Sequence, residues 1–292
     1  VFAAVFADMA MEPMLDFIKG AGCEAVEIGT GAYPGAPHCP LDELVADAGT
    51  AKAWLKKITD RGLMLSALSC HGNPIHPNAA IAREHADIFR KTIDLASLLG
   101  IETVINFSGC PGDQPGAKFP NWVTCPWPPD FGDILKYQWD EVAIPYWKDM
   151  NKYMASKGVR VGLEMHPGFI VYNPETALKL REACGDRIGV NFDPSHLFWQ
   201  GMDPVYGIRA LGQAGAIFHF HAKDCKIDPI NSLTHGVLDT KSYTEEIKRT
   251  WIFRTVGYGH DAQVRKDMVS NLRLIGYDGA LSIEHEDSLM SG

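Results

Sequence analysis

Four short segments of the chain each end an apolar run with a side chain able to ligate a metal: Glu164 in GLEMHPG, Asp193 in GVNFDPSH, His221 in IFHFHAKD and Glu284 in LSIEHED. Three carboxylates and an imidazole make a hard, mostly oxygen donor set suited to one divalent cation, provided the four segments meet in space. The spacing favours a meeting. Glu164 and Asp193 are 29 residues apart and Asp193 and His221 are 28 apart, each close to one strand-plus-helix unit. His221 and Glu284 are 63 apart, which is two units or one unit with a long insertion. A single Glu at a strand end is usually a solvated surface group. Four such groups facing a common interior would be costly to bury unpaired, and a shared cation is the cheaper arrangement.

Other residues flank these four. His196 lies three positions after Asp193 and can turn back over the same mouth, although Asp-Pro-Ser is equally a turn and helix-entry sequence. His166, two positions beyond Glu164, is placed to touch substrate or water, and His71 in SCHGNP follows the third strand. His219 sits deeper in its strand than His221, as a supporting or core histidine. Lys223 and Asp224 either orient the site or form a plain salt bridge. Arg254 in FRTVGYGH is followed by glycines that permit a tight loop, which could aim its guanidinium at the mouth; the GYG there lacks the spacing of a phosphate-binding loop.

Strand and helix patterns alternate along the chain to position these residues. Strand patterns fall at residues 1–6, 25–28, 64–69, 103–107, 159–165, 188–193, 216–221 and 280–284, and helical patterns at 11–19, 41–61, 79–99, 141–157, 174–184, 204–211 and 262–275. Eight strands and seven helices predict an α/β fold, a (β/α)8 TIM barrel over residues 1–292 as a single domain, whose final helix is absent from the sequence as it stands. Side chains two apart share a strand face, so His219 with His221, Gly162 with Glu164 and Ser282 with Glu284 point to the lumen. All four proposed ligands then lie at the C-terminal ends of strands, where this architecture builds active sites. Two connections on that face are long, at about 109–140 and 225–260. The first carries Trp122, Trp127 and Trp139, which either stack on a sugar ring or pack the loop down.

Composition narrows the class. A length of 292 residues with 46% hydrophobic content suits one large core. The net charge of −9, with Lys and Arg scattered, leaves no basic stripe for a nucleic acid. No apolar run is long enough for a membrane span. Seven cysteines, an odd number without a CxxC pair, suit a reducing cytoplasm.

Glu164, Asp193 with His196, the HFHAKD strand with His221, and Glu284 together resemble the xylose-isomerase-like (β/α)8 superfamily, which includes ketose 3-epimerases, inosose dehydratase and an endonuclease IV branch. The resemblance covers nearly the whole chain. It implies a metal, manganese first and Mg2+, Co2+ or Zn2+ as alternatives, held by Glu164, Asp193, His221 and Glu284. It further implies that Glu164 and Glu284 move the substrate proton and that His196 and Arg254 contact substrate; His166, His71 and Trp127 complete the expected substrate contacts.

A cation that chelates a ketone and its neighbouring hydroxyl would polarise the carbonyl while a carboxylate removes the adjacent proton. The expected function is therefore a divalent-metal-dependent sugar isomerase or epimerase. The alternative is a lyase, either an inosose-type dehydratase or an enzyme cleaving 3-keto-glycosides by β-elimination, with a partner subunit an option. Phosphodiester cleavage is disfavoured by the acidic balance, and a non-catalytic sugar-binding subunit would not need all four ligands. A small carbohydrate is the expected partner, in a homo-oligomer or hetero-oligomer, as barrels of this type often form.

Overall fold

Seven parallel strands wrap around a polar lumen in the order β1 (Ala25–Gly29), β2 (Met64–Ser69), β3 (Thr103–Phe107), β4 (Arg160–Glu164), β5 (Ile188–Phe192), β6 (Ile217–Ala222) and β9 (Leu281–Ile283). The computed structural model describes residues 1–290. Strands β3 and β5 are buried along their whole length, as expected where helices cover one face and the lumen the other. The outer layer is built from α1 (Met11–Gly20), α2 (Leu41–Ala46), α3 (Ala48–Thr59), α4 (Ala79–Leu99), α6 (Ile144–Lys157), α7 (Pro174–Cys184), α9 (Pro204–Gln213) and α11 (Ala262–Leu274). Local signals set their ends. In α7 the Asn173 side chain accepts from Thr176 N while the Thr176 hydroxyl returns to the Asn173 N–H, a reciprocal cap with Pro174 at the first turn.

Three sequence expectations change. Residues 1–6 are not a full strand: Val1 O accepts from Glu27 N at 2.8 Å and Phe2 N donates to Ile283 O at 2.9 Å, after which Ala3–Phe6 turn into a 3-10 helix. This short segment occupies the eighth position of the barrel, between β9 and β1, and turns Phe2, Ala4 and Val5 towards the mouth. The helix expected over 41–61 breaks at Asp47, whose extended backbone ends α2 and whose carboxylate caps α3 through Thr50 N at 2.6 Å. The connection over 109–140 is partly helical, with α5 (Asp130–Lys136) and a π-helical stretch (Tyr137–Ala143) running into α6.

The second long connection is an insertion built on an antiparallel hairpin, β7 (Asp224–Ile227) with β8 (Trp251–Arg254), enclosing α10 (Pro229–His235). No helix follows β9 among the described residues. Among the described residues no helix is long and apolar enough to cross a membrane.

Candidate metal centre and active site

Each proposed ligand arrives from a strand end. Glu164 is the last residue of β4, Asp193 follows β5, His221 is near the end of β6, and Glu284 follows β9 with its N–H still paired to Ala222 O at 3.3 Å. Ligand atoms of all four lie within 4.8 Å of one another. His221 Nδ1 is 2.8 Å from Glu284 Oε2 and 3.3 Å from Glu164 Oε2, the roughly 3 Å separation of neighbouring donors about 2.0–2.2 Å from one cation.

The donor atoms fit a cation on a second count. Asp193 Oδ2, His221 Nδ1 and Glu284 Oε2 are buried without a hydrogen-bond partner, a costly state for polar atoms unless something else satisfies them. Asp193 takes the helix-entry role and keeps an oxygen free for the other. Its Oδ1 accepts from Ser195 N at 2.8 Å, opening the short helix α8 (Ser195–Phe198), and this leaves Oδ2 facing the cluster.

Hydrogen bonds fix the ligands from behind. Glu164 meets His196 Nε2 at 3.1 Å, His71 Nε2 at 2.9 Å and Asn191 Nδ2 at 3.2 Å, and Asn191 in turn pairs with His219 Nδ1 at 2.9 Å. His219 therefore supports Glu164 through Asn191. Lys223, buried on the strand side of the mouth, sets its ammonium 3.1 Å from Glu284 Oε1, 2.6 Å from Glu286 Oε2 and 4.3 Å from the Phe253 ring centre.

Burial alone would raise the Glu164 carboxyl, but His196, His221 and His71 beside it hold it well below the ordinary carboxylate range. For Glu284 burial is again outweighed, by Lys223 and then His221, which bring it down to about 2. Asp193 is raised by burial, against the pull of His196 and Lys223. His221 is raised well above its usual value because Glu27, Glu284 and Glu164 overcome burial. The three proposed ligand carboxylates outnumber the one lysine ammonium, which Glu286 also shares. A proton on His221 meets part of that excess, and a divalent cation at Nδ1 would take its place.

A cavity of about 340 Å³ opens over the cluster, lined by Phe2, Tyr33, His71, Phe107, Glu164, His166, Lys223 and Glu284 among others. Burial and the neighbouring His196 push the His166 imidazole down to about 3, so it faces the cavity as a neutral ring, with Nδ1 2.7 Å from Pro167 O. His71 and His166 thus sit on the cavity wall, and His196 lies behind it against Glu164 and Asp193. Arg254 and Trp127 are elsewhere. The Arg254 guanidinium pairs with Asp287 at 2.9 Å, and Trp127 is 71% exposed on its loop. Trp122 and Trp139 border a separate cavity beside α7, so the aromatic wall of the mouth comes from Phe2, Tyr33 and Phe107.

Lys223 and Asp224 have opposite fates. Lys223 points into the site, whereas Asp224 points away and collects the N–H groups of Gly257, Gly259 and His260 at 2.9–3.1 Å, together with Arg265. One buried acid was not among the sequence candidates. Glu27 on β1 meets His221 Nε2 through both oxygens at 3.1 Å and accepts from Ser69 and Ser282. Its signal was the strand alternation that puts Ala25, Glu27 and Gly29 on one face.

Residues 15–289 match the xylose isomerase-like TIM barrel family, and the chain belongs to it. It is 43% identical to uncharacterized protein YfiH of Bacillus subtilis (strain 168) over 286 residues, covering 97% of this chain and 90% of that protein. Its fold is similar to those of the probable 3-DHS dehydratase AsbF of Bacillus anthracis (TM-score 0.65, 16% identity, 98% of this chain and 91% of that one) and a D-tagatose 3-epimerase-like protein (0.64, 18%, 98% and 90%). It is also similar to the IOLI protein, solved with a bound zinc atom (0.65, 17%, 99% and 88%). At these identities the structural likeness defines the fold alone.

Proposed function

We propose that this protein is a divalent-metal-dependent isomerase or epimerase of keto-sugars that works by removing a proton next to a carbonyl. The observation that carries this reading is the convergence of unpartnered Asp193 Oδ2, His221 Nδ1 and Glu284 Oε2 on Glu164, at the floor of a cavity that Glu164 and Glu284 both line. Glu164, Asp193, His221 and Glu284 would hold the ion, Mn2+ first, with Mg2+, Co2+ and Zn2+ compatible with the same donors. When bound, the ion supplies Lewis-acid polarisation of a carbonyl and its neighbouring hydroxyl.

The chain's own groups supply the proton transfers. Glu284, kept ionised by Lys223 and His221, is the base for the carbon-bound proton. Glu164, ionised at rest like Glu284, returns a proton to the substrate after taking one up from solvent, and Glu284 gives its captured proton back to solvent to close the cycle. Return to the opposite face gives an epimer, and return to the neighbouring carbon gives an isomer. His71 and His166 orient the hydroxyls, while Phe2 and Phe107 keep water from one side. The cavity, near the lower end of the usual range of roughly 300–1,000 Å³, suits a small carbohydrate.

Lys223 favours a second reading within the same chemistry. Burial would lower its ammonium, but Glu284 and Glu286 keep it well above its ordinary value, so it lines the cavity protonated. Once the adjacent proton is gone, cleavage of a β carbon–oxygen bond with proton donation from Lys223 to the departing oxygen gives dehydration or release from a 3-keto-glycoside. Incubation in heavy water with keto-sugars and with 3-keto-glycosides separates the two: deuterium in an isomeric sugar supports the first, loss of water or aglycone the second. Seven free thiols support a cytoplasmic setting for either.

A further inference from the structure

Glu27 is fully buried, borders no cavity over the metal cluster, and has every oxygen engaged within the protein. It accepts from Ser69 Oγ on β2, from Ser282 Oγ on β9 at 2.6 Å, and from His221 Nε2 on β6 at 3.1 Å to each oxygen. The β1–β2 register slips between Val26 and Glu27, as bulges do where a side chain is re-aimed. The ring that Glu27 holds lies nearly parallel to Phe2, with centroids 5.7 Å apart and planes 22° apart. One imidazole nitrogen is therefore committed to Glu27, and the other is directed without a protein hydrogen bond at Glu164 and Glu284.

We propose that Glu27 is a positioning residue for the metal centre: it fixes the ring of His221 so that Nδ1, and only Nδ1, is presented as a ligand. This rests on the reading of the four-residue cluster as a metal site. Glu27 cannot act on substrate, because no part of it reaches the cavity. A carboxylate behind a ligating histidine sets ring orientation and raises ligand basicity, and losing it typically costs roughly 10–100-fold in metal affinity.

The test is Mn2+ titration of the whole chain by calorimetry, paired with melting of the metal-free protein. Glu27→Gln keeps size but surrenders one acceptor oxygen, and its Mn2+ dissociation constant is expected to rise by roughly 10–100-fold in folded protein. The double variant Ser69→Ala/Ser282→Ala keeps the carboxylate but frees it to swing, and is expected to weaken binding less. A folded Glu27→Gln protein with the wild-type constant overturns the proposal, even if its metal-free melting temperature falls, since Glu27 would then only hold strands together. If Glu27→Gln does not fold, the serine pair decides, and unchanged Mn2+ affinity there overturns the proposal. Wild-type protein that binds Mn2+ leaves the metal reading standing in each of these cases; wild-type protein that binds none removes both.

Discussion

Of the four proposed ligands Glu284 stands closest to the Lys223 ammonium, at 3.1 Å against 3.8 Å for Asp193, and this defines what its replacement should do. Glu284→Gln keeps an oxygen for the ion but loses basicity, so exchange of the proton next to the carbonyl should disappear while Mn2+ binding falls less than in Asp193→Ala. Wild-type exchange in the Gln variant would reduce Glu284 to a ligand. Two neutral histidines, His219 buried and His166 half-buried on the cavity wall, give the metal-free protein a pH signature. Burial lowers His219 to about 4 and His166 to about 3, from an ordinary 6.5, so below 6.5 the unfolded chain takes up protons that the fold refuses. Stability from these two groups is thus present above pH 6.5 and lost as pH falls through about 4 and then 3. His221 has the opposite sign: raised in the fold, its contribution is complete below 6.5 and is lost as pH rises through its folded value. Metal-free melting temperature should therefore peak near pH 6.5, and His166→Gln should flatten the acid side. A profile that is flat between pH 4 and 6.5 would contradict the burial of neutral rings.

At the scale of elements, the hairpin insertion of β7 and β8 brings Phe253 under Lys223 and is itself anchored by Asp224. Gly259 is required there: a Cβ would stand 2.1 Å from Cys225 O and 2.6 Å from Asp224 Oδ1. Gly259→Ala should destabilise the insertion by about 1–3 kcal/mol, read as a lower melting temperature, because the loop must withdraw from the carboxylate that binds it. The loop over 109–140 makes the contrary case. With Trp127 outside the mouth and Trp122 beside α7, Trp127→Ala should leave kcat/KM for a small keto-sugar unchanged; a large fall would mean that the loop closes over bound substrate. These two connections were the least legible parts of the sequence. Their courses are set by contacts remote along the chain, Asn73 with Cys110 and Gly109 with Ile170 for the first, Arg254 with Asp287 and Asp224 with residues 257–265 for the second, which no local pattern announces. The strands were legible because burial on both faces leaves short apolar runs, and residues 1–6 misled because only Phe2 of that run pairs.

Over the whole molecule, the barrel brings four separate strand ends together, with candidate ligand atoms within 4.8 Å of one another, a meeting that their residue types and spacing had predicted. Glu164, Asp193, His221 and Glu284 stood out because each is an ionisable residue closing an apolar strand pattern, the first three one strand-plus-helix unit apart. Glu27 did not, since an acid in AVEIGT gains meaning only when β6 and β9 place His221 and Ser282 against it. The first step of the proposed chemistry is the one to measure. That measurement is proton exchange in heavy water, followed by NMR at the carbon next to the carbonyl, over a panel of keto-sugars, with metal-stripped and Mn2+-reconstituted protein side by side. The reconstituted protein should exchange the proton of at least one sugar and the stripped protein should not. Equal exchange by both, or none by either across the panel, would contradict metal-dependent proton abstraction at this site.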